Sequence, residues 1–270
     1  DLLGLQECSA DAQARYVRRK LAEWQFEGVR TEKSDWAPEM APLLFKRSVF
    51  EQIDAGHFWL STTPAVPGSQ SWDSAFPRTA TWAELRHRRT GRSLVFLNTH
   101  VDYEPQAVEQ SAGVLRQWIE KIARRRPVIV TGDFNARKKT SAYRQLACRG
   151  VLFDVFRRAH PAGENEGTYH AYGTADKPAP IDWILASEQF EPVAVDVDRY
   201  REGGLFPSDH YPLTAVLTAR GESLASHRDG RGAPPARRDD REYREYLSEE
   251  QRSRRGCIAR RMQPDFHHGL

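Results

Sequence analysis

The sequence predicts an α/β fold in which two β-sheets pack together and helices cover them. Three observations carry this reading. Short apolar runs of strand length recur from the first residues to about Ala219. Only a few segments of helical period interrupt them, a mixture that suits packed sheets with helices outside. Aliphatic residues then become scarce after Arg220, where Arg, Asp, Glu and Gly dominate.

The elements follow in order. Leu2 to Gln6 is a short apolar run ending in polar residues, the profile of a buried strand whose end reaches a site. Ser9 can cap a helix in which Ala14, Val17, Leu21 and Trp24 recur at helical spacing. Leu43 to Phe45 and Phe58 to Leu60 are strand candidates between polar turns. Thr62 to Pro77, rich in Pro, Gly and Ser, is a surface loop. Thr79 to Leu85 and Leu94 to Asn98 read as paired strands with Thr90-Gly91 near their turn. Val108, Ser111, Leu115, Trp118, Ile119 and Ile122 share one face of a helix from about Pro105 to Arg125. Pro127 stops it, and Val128 to Thr131 follows as a buried strand. A helix from Ser141 to Arg149 ends at Gly150. Ile181 to Ala186, Val193 to Val197 and Leu213 to Leu217 complete the strands.

Composition narrows the function classes. With 39% hydrophobic and 29% charged residues, the 270-residue chain can build one large core. A net charge of +3 gives no global field to gather nucleic acid, so any nuclease activity must rest on a local site. Cys8, Cys148 and Cys257 are too few and scattered for a disulfide framework or a zinc cluster. No run is long enough to span a membrane, so no stable membrane insertion is expected. Residues 220–270 read as a charged, solvated tail in which Asp240 to Met262 has helical charge spacing. One folded domain is accordingly expected over residues 1–219; a monomer is expected, and the compartment is undetermined.

Polar residues with chemical potential sit repeatedly at predicted strand ends. Gln6-Glu7, Asn98-Thr99-His100, Gly132-Asp133-Phe134-Asn135, Asp182 and Ser208-Asp209-His210 all do so, and strand ends share an edge of a sheet. Taken singly, each has an ordinary structural explanation: a Gly-Asp turn, a solvated Glu, a satisfied His. Together they form a coherent set. Carboxylates such as Glu7 are hard oxygen ligands suited to Mg²⁺ or Mn²⁺. A histidine oriented by a carboxylate can hold or deprotonate water. Asn and a second His can donate to phosphate oxygens. No phosphate-binding Gly loop, dinucleotide fingerprint or serine nucleophile elbow competes with this set.

In that order these motifs resemble the endonuclease/exonuclease/phosphatase superfamily, the fold of deoxyribonuclease-I-like nucleases, apurinic endonucleases, inositol polyphosphate 5-phosphatases and bacterial sphingomyelinases. Gly-Asp-Phe-Asn and Ser-Asp-His-Tyr-Pro are the specific pieces, and the resemblance covers residue 1 to about residue 219. Pro77-Arg78, Trp82 and Gly167-Thr168-Tyr169-His170 are similar to a bacterial subgroup described as endonucleases or hydrolases. The resemblance implies a four-layer sandwich of two mixed sheets packed face to face, with helices outside. It also implies roles: Glu7 on the metal, Asp133 positioning or activating water, and Asn135 on the scissile phosphate. His210 would act with Asp182 as its orienting carboxylate. Asp209 would complete the metal or histidine network, and His100 would donate to a phosphate or leaving-group oxygen. Arg78, Asn98, Tyr169 and His170 are the substrate-binding candidates. Tyr103, Tyr172 and Trp183 are weighed both as stacking platforms and as packing residues. Members of the family begin with a strand ending in an asparagine. The chain starts after that point, so the expectation is a piece of a longer reading frame.

The leading expectation is a Mg²⁺- or Mn²⁺-dependent phosphodiesterase, with nucleic acid as one candidate substrate. The second is a phosphatase or phospholipase acting on a sugar, inositol or lipid head group. The inositol branch usually carries Asp-Arg where this chain has Asp182-Trp183, which argues against it. The third, from another class, is a non-catalytic binding module with the same fold. Specificity would reside in loops such as Thr62–Pro77 and Glu164–Pro180.

Overall fold

The structure is a computed structural model that describes residues 1–31, 39–147, 151–163 and 166–220. The described residues all belong to one compact unit, Asp1–Glu222. The candidate tail helix, Cys148, Cys257 and the Gly150 helix end lie outside the described residues.

Chain order is β1 (Leu2–Gly4), β2 (Cys8–Ser9), α1 (Ala12–Lys20), β3 (Trp24–Glu27), β4 (Glu39–Met40), β5 (Leu43–Lys46), β6 (Phe50–Trp59), β7 (Thr79–His87), β8 (Ser93–His100), α2 (Pro105–Ala123) and β9 (Val128–Asp133). Then come α3 (Ser141–Leu146), β10 (Phe153–Asp154), α4 (Val155–Ala159), β11 (Asp182–Ala186), β12 (Phe190–Val197) and β13 (Leu213–Ala219). The central sheet has the order β10-β11-β9-β8-β7-β6, parallel at β8–β9 and antiparallel elsewhere. Facing it are two antiparallel pieces, β1-β5-β3 and β12-β13.

The four-layer sandwich expected from the sequence is present. Alternation along β8 shows how the layers form. Val95 and Leu97 point to α2, joining Leu115, Ile119, Val128 and Val130 in one core. Phe96 points the other way, joining Leu43 and Phe45 of β5 and Val195 and Val197 of β12 in a core between the sheets. A third cluster, with Ala14, Phe26, Met40 and Leu44, seats α1 on the outside of β3–β5. Each fully buried aliphatic side chain contributes about 1.5–3 kcal/mol. Phe58 of β6 stacks on Trp118 of α2, with centroids 4.6 Å apart. Among the described residues, no helix is long and apolar enough to cross a membrane.

The first predicted helix needs correction at its far end. Ser9 does serve its start: its hydroxyl accepts from the Gln13 N–H at 3.1 Å, and its own N–H donates to Gln13 Oε1 at 2.6 Å. The helix stops after Lys20, however, and Trp24 opens β3. Val17, Leu21 and Trp24 pack on the same cluster, so one apolar patch shared by a helix and a strand mimicked a longer helix. The other predicted strands fall where expected, β6 and β12 extending further toward their N-termini than the apolar runs alone indicate, whereas the short β2, β4 and β10 were not foreseen.

Candidate active site

Sheet topology brings the chemistry together. β8 and β9 run parallel, so their C-terminal ends reach the same edge; β11 runs antiparallel to β9, so its first residue arrives there too. In register, His100 pairs with Asp133 and Asp133 pairs with Asp182. Three residues far apart in sequence thus form a row at one sheet edge. Gly132 is required beside Asp133, because a Cβ there would meet the Thr99 carbonyl oxygen at 2.5 Å.

The fourth member arrives on a loop. Tyr169 bridges to His210, and the His170 N–H donates to the Asp209 carbonyl at 2.9 Å. The Ser208 hydroxyl accepts from the His210 N–H at 3.1 Å, closing a local turn. His210 Nδ1 then lies 2.7 Å from Asp182 Oδ2, and its Nε2 lies 3.8 Å from Asp133 Oδ2. His100 Nε2 reaches the same Asp133 oxygen at 3.6 Å. Asp133 Oδ1 accepts from the Asn135 N–H at 2.8 Å, which holds Asn135 in the left-handed region at φ 48°. Glu7 also sits in that region, at φ 51°. Non-glycine residues held there cost of order 1–3 kcal/mol, and such residues concentrate at functional sites.

The electrostatics agree with this crowding. Burial first, then the Asp182 charge, pushes the Asp133 carboxyl up to about 7, against the His210 charge and the Asn135 N–H; Glu7 adds to the rise. For His210, burial is the largest influence and would lower its pKa. The hydrogen bond and charge of Asp182, with Asp133 and Asp209, outweigh it and raise the pKa to about 9. Burial, then Asp209, Glu7 and Asp133, raises the Tyr169 phenol, which places that hydroxyl among the acids. Its ring lies 4.9 Å from the His210 ring. Excess negative charge at a buried carboxylate is what a cation would relieve. Asp133, Asp182 and His210 each offer a ligand atom, all within 4.8 Å of one another. Mainly oxygen donors fit a hard divalent ion.

A pH dependence of stability follows. His210 titrates from an ordinary 6.5 up to about 9 in the fold, so its contribution is full below 6.5 and lost as pH rises through 9. Asp133 rises from 3.8 to about 7, so its ionisation costs the fold progressively across that interval. Both effects have the same sign. In EDTA, the melting temperature should fall from about pH 6 to about pH 9, on the order of 3 kcal/mol in stability, and Mg²⁺ should restore most of the loss at the alkaline end. Calorimetry across that range checks it; a flat profile would contradict the assigned electrostatics.

Three of the substrate-binding candidates are buried among protein groups. Asn98 is fully buried between the sheets, and all four of its amide hydrogen-bonding positions are used. It donates to the Leu5 and Pro42 carbonyls at 2.7 and 3.0 Å, and accepts from Gln6 Nε2 and Thr131 Oγ1 at 2.7 and 2.9 Å. Asn98 therefore clamps the end of β1 beneath Glu7. Gly4 is needed for this clamp, since a Cβ would come within 2.3 Å of Asn98 Oδ1. His170 is 2% exposed, stacked on Tyr211 and against Phe206, with Nδ1 accepting the Gly173 N–H at 3.0 Å. It holds the loop that carries His210. Arg78 is buried against Glu39, His100 and Asp102. Of the aromatic candidates, Trp183 is core, stacked on Phe134 at 4.2 Å, whereas Tyr103 is half exposed beside Phe76. Glu39 and Asp102 went unremarked in the sequence; an Asp two residues after Asn-Thr-His was the one available signal for Asp102.

Residues 1–210 match the model of the Endonuclease/Exonuclease/phosphatase family. The crystal structure of the endonuclease/exonuclease/phosphatase from Bacteroides vulgatus is similar at 30% identity and TM-score 0.74, over 81% of this chain and 85% of that one. A Bacteroides thetaiotaomicron mannosyl-6-phosphatase is similar at 27% identity and TM-score 0.71, over 81% and 85% of the two chains. D. rerio TDP2 complexed with a single-strand DNA product shares the fold at 17% identity and TM-score 0.62, over 81% and 86%. Among curated proteins, no sequence match is found.

Proposed function

The chain belongs to the endonuclease/exonuclease/phosphatase family, a family of phosphoester hydrolases, and from that membership we propose a divalent-metal-dependent phosphodiesterase of endonuclease type. The observation that carries the proposal is the Asp182–His210–Asp133 constellation, with Glu7 and Asp209 close enough to perturb it.

Glu7 and Asp209 would hold Mg²⁺ or Mn²⁺ with help from the neighbouring acids. When bound, such an ion neutralises phosphate charge and stabilises the charge that develops on its oxygens. The protein groups divide the remaining work. His210, protonated up to about pH 9, is a charged donor to a phosphate oxygen, with Asp182 fixing its ring. Asp133, ionised above about 7, is the stronger candidate to orient the attacking water and take its proton. His100 and Asn135, whose side-chain nitrogens lie 3.3 Å apart, face an in-line phosphate as paired donors. Tyr169 covers the His210 ring and borders the acidic cluster.

One observation favours a second reading. The mannosyl-6-phosphatase similarity, at 27% identity over most of both chains, supports a sugar phosphate monoester as substrate. Hydrolysis of bis-p-nitrophenyl phosphate and p-nitrophenyl phosphate, with Mg²⁺, with Mn²⁺ and with EDTA, separates the readings. Diester cleavage that disappears in EDTA and in an Asp133→Ala/His210→Ala double variant is the expected result. Preference for the monoester would move the assignment to the phosphatase branch. Metal-dependent turnover of the diester would exclude the non-catalytic binding module.

A further inference from the structure

We propose that Arg78 holds His100 Nδ1 as a hydrogen-bond acceptor, so that the ring carries its proton on Nε2 and meets its substrate as a fixed donor.

Arg78 directly precedes β7, and its carbonyl accepts the Leu60 N–H at 2.8 Å, so its backbone is held at the sheet edge. Its Nη1 lies 2.9 Å from His100 Nδ1. A guanidinium has donors only, so Nδ1 must present a lone pair. A neutral ring then carries its proton on Nε2. A second proton on Nδ1 would set one cation against another inside the protein.

The lock is itself anchored. Arg78 Nη1 pairs with Glu39 Oε2 at 3.2 Å, and Nε lies 3.5 Å from Asp102 Oδ2. Asp102 is almost fully buried and accepts the Phe76 and Glu104 N–H groups at 3.1 and 3.0 Å, so it cannot swing away without losing both. On the far side of the ring, Nε2 faces Asp133 Oδ2 at 3.6 Å and sits 3.3 Å from the Asn135 amide nitrogen, which donates to the Val101 carbonyl at 2.8 Å. With the proton on Nε2, two donors lie side by side, an arrangement that suits one phosphate oxygen. His210 has the opposite arrangement, with an acid on its Nδ1 instead of an arginine. Arg78 is a positioning residue, and its catalytic consequence rests on the phosphoesterase reading.

The test reads the tautomer directly. Full-length chain labelled with ¹⁵N-histidine is examined by long-range ¹H–¹⁵N correlation with Mg²⁺ and with EDTA, the His100 signals being identified by their loss in His100→Asn. The expected result is the Nε2–H tautomer alone; an Nδ1–H tautomer or an imidazolium overturns the proposal. Arg78→Met should then populate the Nδ1–H form and lower kcat roughly 10–100-fold, with KM within about threefold. Arg78→Lys, which keeps a donor, should retain the tautomer and recover part of the rate. A raised KM with kcat and tautomer unchanged would make Arg78 a substrate contact and overturn the lock. If Arg78→Met fails to fold, the wild-type spectrum decides. The expected tautomer in a chain that cleaves no phosphoester would leave the lock standing and remove the functional reading instead.

Discussion

Alanine in place of His210 should lower kcat/KM for phosphodiester hydrolysis by roughly 10³-fold or more while the chain stays folded. The side chain is 23% exposed and takes no part in the hydrophobic clusters, so its removal leaves the cores intact. What disappears is the cation facing Asp133 and the ring that Asp182 orients at 2.7 Å. Asp182→Asn removes the charge but keeps the shape, so a smaller loss of roughly 10²-fold is expected. The double variant should lose little more than His210→Ala, because the two residues act as a unit. Steady-state kinetics with Mg²⁺ and near-ultraviolet circular dichroism check both halves. A folded His210→Ala chain that keeps more than about a tenth of the activity would take His210 out of the chemistry.

The largest expected stability effect lies beneath the site, at Lys138. Its ammonium is 3% exposed, 2.8 Å from Asp154 Oδ2 and 2.5 Å from Glu166 Oε2. Asp154 also accepts from the Tyr143 hydroxyl at 3.0 Å and from the Arg157 N–H at 3.0 Å, capping α4. Lys138→Met keeps the volume of the side chain but leaves two carboxylates facing each other with much of their compensation removed. Breaking a buried ion pair in this way typically costs about 3–5 kcal/mol. Urea denaturation at neutral pH should show a loss of that size at unchanged m-value. Adding Asp154→Asn should recover part of the loss, since it removes one stranded charge. A loss below about 1 kcal/mol would mean that solvent reaches the group and that the pair is a surface bridge in effect.

Much of the candidate site was legible because the sheet uses a period of two and ends its strands abruptly. His100 and Asp133 each close an apolar run and Asp182 opens one, so all three fall at strand ends, and their order along the chain, through the family resemblance, gathered them into one site. Asn98 shows where that logic ends. It shares a face with His100 two residues earlier, but the spacing cannot reveal that the Leu5 and Pro42 carbonyls and the Gln6 and Thr131 side chains take its whole amide. His170 shows the same limit: a loop aromatic beside a motif looks alike whether it faces a cleft or a core. Trp24 was misplaced because a shared apolar patch has no fixed chain connectivity.

The sequence by itself determined the layers, the polar strand ends and the oxygen-rich chemistry, because these follow from local alternation and residue type. Tertiary structure alone decided which partner each polar group received. Asp182 fell to His210, Arg78 to His100, and Lys138 to Asp154 and Glu166, all pairs at least 16 residues apart. A histidine's charge, tautomer and role are set by that partner through burial and electrostatics over a few ångströms, and sequence spacing carries no such distance.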